Sequence, residues 1–164
     1  MPWKSRLGAD FFRGRVLQID FVGRKVRLLR SSQIENAADL SLVGMKASRG
    51  ALLATVSVNG GKPEWMRVDT GCASALQWVA NGVTGVAAAS GVSVGLTALN
   101  IPTTWTTVRL GSTTFDSVPT GVHRRPIFHG ESGLLGNGLL ARFERVTFDT
   151  KAGKLLMQGR REGF

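Results

Sequence analysis

Turn signals recur at short intervals along this chain and leave little room for long helices. Val22-Gly23-Arg24, Asn59-Gly60-Gly61-Lys62, Gly111-Ser112 and the stretch from Thr150 to Gly153 each separate two runs rich in Val, Leu, Ile or Thr. Apolar β-branched runs of this length, joined by Gly- or Asn-containing turns, read as β-hairpins. The 21 glycines among 164 residues fit that reading, so the fold class expected is mainly β. The strands expected are 16–21 with 25–29, 52–58 with 64–68, 104–110 with 113–118, and 146–149 with 154–157. A short strand is expected near 121–125 and an apolar, buried segment at 75–79. One turn of helix ended by Gly14 is expected over 8–14, and one short helix near 138–143. Ser31 to Asp39 is polar and small with no apolar period, and residues 30–50 differ from what flanks them. A linker is expected over 31–50.

Charge and the scarce chemistry-bearing residues narrow the function. A net charge of +10 invites a polyanion partner. The Arg and Lys residues are scattered, densest from Arg13 to Arg30, with no zinc-ligand spacing, aromatic platform or helix-turn-helix pattern beside them. That argues against nucleic acid and for a solvated basic surface. Cys72 is the only cysteine, so no intrachain disulfide can form. The two histidines, His123 and His129, read as loop residues and are too few for a metal cage without carboxylates. No metal and no cofactor is called for. No apolar run is long enough to be a transmembrane segment, and the N-terminus has no signal-peptide core. Trp65, Trp78 and Trp105 read as core or rim residues.

One stretch carries candidate chemistry: Val68-Asp69-Thr70-Gly71-Cys72-Ala73-Ser74. A strand delivers a single carboxylate, and small residues then turn the backbone tightly. Asp-Thr-Gly alone is a weak signal, and a structural turn acid is its bland reading. A second stretch, Gly133-Leu134-Leu135-Gly136-Asn137-Gly138-Leu139-Leu140, pairs bulky apolar residues with glycine, as a buried strand pressed against another backbone requires. Asp20 and Asp149 sit at strand–turn junctions and read as turn-capping acids.

The end of the chain also echoes its beginning. Leu7-Gly8, Phe11-Phe12, Ile19-Asp20-Phe21 and Lys25-Val26-Arg27-Leu28 align with Leu135-Gly136, Leu139-Leu140, Phe148-Asp149-Thr150 and Lys154-Leu155-Leu156-Met157. Both copies read Gly, short apolar helix, strand ending in Asp, turn, strand. A repeat whose first copy keeps only its end implies that the chain starts inside a longer protein. Residues 1–30 would then be the C-terminal hairpin remnant of a preceding homologous lobe, and 51–164 a lobe of its own.

Taken together, Val68-Asp69-Thr70-Gly71, the Gly-containing hairpin region and Leu134-Leu135-Gly136 with its following helix resemble the retropepsin-like aspartic proteases, over residues 51–157. The resemblance implies a closed β-barrel lobe carrying half of an active site. The other half comes from a second homologous lobe or from a homodimer. Asp69 would be one of two catalytic aspartates of an endopeptidase acting on a peptide or protein substrate. Thr70, Gly71, Cys72, Ala73 and Ser74 would support the loop, and Leu134, Leu135 and Gly136 would form the hydrophobic-hydrophobic-Gly segment behind it. The sequence departs from the pattern in three ways. Cys72 stands where relatives carry Ala, Ser or Thr. The chain contains no Tyr, which excludes a flap tyrosine and leaves a flap only in the small-residue stretch 83–100. A single Asp-Thr-Gly is present. The alternative function is a non-catalytic binding or dimerisation module of the same fold.

Overall fold

The computed structural model describes residues 12–30, 39–80, 87–94 and 97–161, with residues 87–94 and 97–100 described by their backbone alone. The described residues form twelve strands and one helical turn: β1 (Val16–Asp20), β2 (Lys25–Leu29), β3 (Ser41–Ser48), β4 (Ala51–Val58), β5 (Glu64–Asp69), β6 (Leu76–Val79), β7 (Ala87–Val94), β8 (Thr97–Leu110), β9 (Thr113–His123), β10 (Gly133–Gly136), α1 (Asn137–Leu140), β11 (Phe143–Asp149) and β12 (Lys154–Arg160). The strands hydrogen-bond in the order β2-β1-β11-β12-β3-β4-β5-β10-β6-β9-β8-β7. β4 also pairs with β8, through Ser57↔Arg109 and Val58↔Val108, so the run from β4 to β8 returns on itself. Val56, Val108, Leu110, Phe115 and Val118 point into this ring, and Leu139, Leu140 and Phe143 join the same core. Phe115 and Phe143 meet edge to face, 5.3 Å between centroids.

The expected hairpins form, and two turns explain themselves by backbone angle. Asn59 and Gly60 both have positive φ (49° and 73°), as a tight hairpin turn demands. Arg49 and Gly50 do the same (48° and 75°) between β3 and β4. Ser31 to Ala38 lie outside the described residues, but the linker expected over 31–50 is corrected in its second half: β3 occupies Ser41–Ser48 and bridges β12 to β4. Its inward residues are Ser41, Val43 and Met45, and Leu42 faces out, so apolar alternation is weak there. The helix expected at 138–143 is shorter and earlier, since Phe143 already begins β11. The short strand expected near 121–125 is the end of β9, so His123 is a strand residue. Trp105 is corrected from core or rim to surface, at 69% exposure. The helical turn expected over 8–14 falls mostly outside the described residues. No helix among the described residues is long and apolar enough to cross a membrane.

The sequence echo has a counterpart in register. In the first hairpin Asp20 pairs with Lys25 and Leu17 with Leu28; in the last, Asp149 pairs with Lys154 and Val146 with Met157. Both turns need positive φ at their fourth residue, Arg24 (51°) and Gly153 (65°). In each, the aspartate Oδ1 accepts a bond from the amide three residues on: Gly23 at 2.7 Å and Ala152 at 2.8 Å. β1 and β11 pair antiparallel, with Val16↔Asp149 at one end and Asp20↔Arg145 at the other. Because Asp20 corresponds to Asp149 and Val16 to Arg145, exchanging the two hairpins maps this ladder onto itself. A local twofold axis therefore passes through Gln18↔Thr147, where Gln18 Nε2 donates to Thr147 Oγ1 at 3.1 Å. The backbone bonds outside the ladder obey it too: Phe21 N donates to Glu144 O, and Thr150 N to Arg15 O.

These turn acids should carry measurable stability. Asp149 accepts from the amides of Lys151 and Ala152, and Asp149→Ala is expected to cost about 1–2 kcal/mol in urea denaturation. Asp20→Ala, which frees only the Gly23 amide and a long contact to Arg27, should cost less.

Candidate active site

Asp69 is the last residue of β5, and β10 lies directly beside it. The two strands run parallel, pairing Leu134↔Arg67, Leu135↔Val68 and Gly136↔Asp69. On its other edge β10 pairs antiparallel with β6, Leu135 facing Leu76 and Gly133 facing Trp78. β5 and β6 are the strands on either side of the loop 70–75, so β10 threads between the two arms of that loop. The loop then closes over its end: Gly136 N donates to Ala75 O, Asn137 N to Cys72 O and Gly138 N to Ser74 O, at 3.0, 2.8 and 3.2 Å. All four residues of β10 are buried.

The approach is too close for side chains. A Cβ on Gly136 would lie 2.0 Å from Ser74 O, and one on Gly138 would lie 2.7 Å from Ala73 O. This is the physical reason for the glycines around Leu134-Leu135. The apolar pair anchors the strand at 1% and 0% exposure, and the glycines let the Asp69 loop rest on it.

Within the loop, Asp69 is partly exposed and its Oδ1 accepts the Gly71 amide at 2.9 Å. Cys72 N donates to Asp69 O at 3.2 Å and completes the turn. Thr70, Gly71 and Ala73 are exposed, Ser74 is half-buried and Cys72 is buried. The structure thus brings Asp69, Thr70, Gly71, Cys72, Ala73, Ser74, Leu134, Leu135 and Gly136 into one place. The Cys72 Sγ lies 2.9 Å from Ser74 Oγ. Ser74 Oγ accepts from Gln77 Nε2 at 3.0 Å, and Gln77 Oε1 is 2.7 Å from His123 Nε2. A chain of polar side chains thus runs from the loop through the fully buried Gln77 to the end of β9. Gln77 fits only because Gly121 lies beneath it, where a Cβ would sit 2.2 Å from Oε1.

A second cluster beside the loop went unread in the sequence. Arg67 stands two residues before Asp69, on the same face of β5. Its guanidinium holds Glu131 through two bonds, Nε to Oε2 at 2.8 Å and Nη2 to Oε1 at 2.7 Å. Phe128 stacks on the guanidinium at 3.6 Å. The bond to Glu131 raises the Arg67 pKa above its ordinary value, and the Asp69 charge adds to this. Ser132 N bonds Trp65 O and Val79 N bonds Ser132 O, so the loop before β10 is fastened to both β5 and β6. Alternation along β5 could have placed Arg67 beside Asp69, but nothing local marks Glu131 as its partner. Among the described residues no group of three His, Cys, Asp or Glu is placed to hold a metal.

Two measurements test this construction. Gly136→Ala is expected to lower stability by about 3 kcal/mol, because the obstacle is backbone carbonyl and not a flexible side chain. Burial holds the His123 pKa below the ordinary 6.5. The unfolded chain therefore binds a proton that the folded one resists, and stability falls as pH drops through 6.5 towards the folded value. His123→Gln should flatten the stability profile between about pH 7 and 5 in urea denaturation.

No family model matches the chain, and no curated protein does. Among solved structures, the fold is similar to a retropepsin-like aspartic protease from Rickettsia conorii, with a TM-score of 0.53 and 16% identity over 76% of this chain and 96% of that one. At that identity the likeness is one of fold: this chain is mainly β and has a retropepsin-like architecture.

Proposed function

We propose that this chain is one lobe of an aspartic endopeptidase, with Asp69 as one member of a catalytic pair. The observation that carries this reading is the seating of Leu134-Leu135-Gly136 beneath the Asp69 loop, in a chain whose overall fold is similar to that of an aspartic protease. A turn acid with only a structural task needs no buried parallel strand threaded beneath its loop. The ring of pairings from β4 to β8 is, on this reading, the closed barrel of the lobe. The hairpin β7–β8, paired as far as Val94↔Thr97, is the candidate flap.

The chemistry needs a second carboxylate. Two carboxylates at one site cannot both ionise readily, so the pair holds one proton between them. The ionised member takes a proton from water as it attacks the peptide carbonyl, and the protonated member hydrogen-bonds the carbonyl oxygen. On this reading Thr70 and Gly71, both exposed, meet a second loop of the same kind. The second carboxylate comes from a homologous lobe or a second copy.

Cleavage of an unfolded protein substrate between about pH 3 and 7 tests the reading. In a paired form, Asp69→Asn should lower kcat by about a thousandfold or more while urea denaturation is little changed. Cleavage that survives Asp69→Asn, or no cleavage by a folded, paired parent, would sink it. The second result would leave the binding-module reading.

A further inference from the structure

Arginines of this chain are commonly tied to a partner: Arg67 to Glu131, Arg109 to Ser57, and Arg161 through Nη1 to Ala141 O at 3.1 Å. Arg142 and Arg160 are not. Neither side chain makes a hydrogen bond or an ion pair among the described residues. Both stand where β11 begins and β12 ends: Phe143 pairs with Arg160, and Arg161 N donates to Arg142 O at 2.8 Å. Their guanidinium carbons lie 5.7 Å and 5.1 Å from the centroid of one ring, that of Phe115. Phe115 is itself 2% exposed, so the two cations rest on a fixed surface. Arg142 Nε is shut off from solvent and has no hydrogen-bond partner. Burial, and then the charge of Arg160, lower the Arg142 pKa from its ordinary value. Two acids stand near by and offset neither cation. Asp39 Oδ2 accepts the Gly159 amide at 2.9 Å, and a Cβ on Gly159 would lie 2.6 Å from Glu144 Cδ. Neither acid forms an ion pair with Arg142 or Arg160. A fold rarely leaves a buried donor unpaired beside two like charges unless a group of opposite charge comes between them.

We propose that Arg142 and Arg160 form a binding site for a phosphate-type dianion, either inorganic phosphate or the phosphoryl group of a small monoester. Charge selects this class. Two uncompensated guanidinium charges match a group that carries about −1.5 to −2 at pH 7, whereas a carboxylate matches only one. Shape selects it too. Each guanidinium presents a planar fork of N–H donors suited to phosphate oxygens, and stacking on Phe115 limits how far either can turn away. Arg161, tied to Ala141 O, adds positive charge on the same strand end. None of these residues belongs to the group around Asp69, so the site stands whether or not the chain cleaves peptides.

The test is a titration of the full chain with inorganic phosphate, at an ionic strength held constant with sodium chloride. The arginine Nε–H resonances and the urea midpoint are followed together. Those of Arg142 and Arg160 should shift together and saturate, and the midpoint should rise, as binding to the folded state requires. Arg160→Gln, at an exposed position, should weaken binding about tenfold or more. Its effect on stability should change sign with the salt. In chloride alone its midpoint should equal or exceed that of the parent, because a repulsion is relieved; in phosphate it should fall below. Arg142→Lys keeps the charge but loses the fork, and should weaken binding by about the same factor. Lys62→Ala, exposed between β4 and β5, removes one charge elsewhere and should leave binding unchanged. No response beyond that in chloride overturns the site. So does a loss in Lys62→Ala equal to that in Arg160→Gln, which would mean a diffuse basic surface, and so does undiminished binding by Arg142→Lys. If Arg142→Lys does not fold, Arg160→Gln decides alone: a midpoint below the parent's by the same amount in both salts overturns the proposal. Glycerol phosphate, titrated alongside, separates the two sources. Binding as tight as that of inorganic phosphate supports a monoester, and weaker binding supports the free anion.

Discussion

The placement of Asp69 depends on a short strand with almost no side chains at its ends. β10 is fixed by hydrogen bonds to β5 on one edge and β6 on the other, and Leu134 and Leu135 lock it into the core. The glycines that flank those leucines let three loop carbonyls, of Cys72, Ser74 and Ala75, accept bonds from the backbone beyond. A loop of small residues has little packing of its own to hold a carboxylate still. Here the neighbouring backbone does that work, and any Cβ at Gly136 would push the loop away.

Around this contact the chain places two kinds of support with different physics. The Cys72–Ser74–Gln77–His123 chain is a buried polar network, whose cost if broken is an unpaired amide in the core. The Arg67–Glu131 pair with Phe128 is a bidentate charge clamp between β5 and the loop that leads into β10. Because Glu131 is 7% exposed and both its oxygens are engaged, removing Arg67 would strand a buried carboxylate. The first support lies on the β6 side of β10 and the second on its β5 side.

What could be read from the sequence was what short-range physics determines. Hairpin turns dictate their own partners, so β1–β2, β4–β5, β8–β9 and β11–β12 were legible, as were Asp20 and Asp149 as turn acids. The glycines around Leu134-Leu135 announced a close backbone approach, and the resemblance suggested where. β3 was not legible, because its inward row mixes Ser41 with Val43 and Met45 while Leu42 faces out at 44% exposure. Trp105 looked like core by residue type, but Thr106, Val108 and Leu110 take the inward positions of β8, so strand alternation leaves the indole outside. Glu131 and Gln77 were invisible as supports, since their partners are distant in sequence and no local pattern encodes such a pairing.

The Asp69 loop and the twofold axis at Gln18↔Thr147 are carried by one stretch of chain, because β10, α1 and β11 follow one another without a break. The strand that seats the Asp69 loop leads, through one turn of helix with Leu139 and Leu140 buried, into the strand that carries the axis.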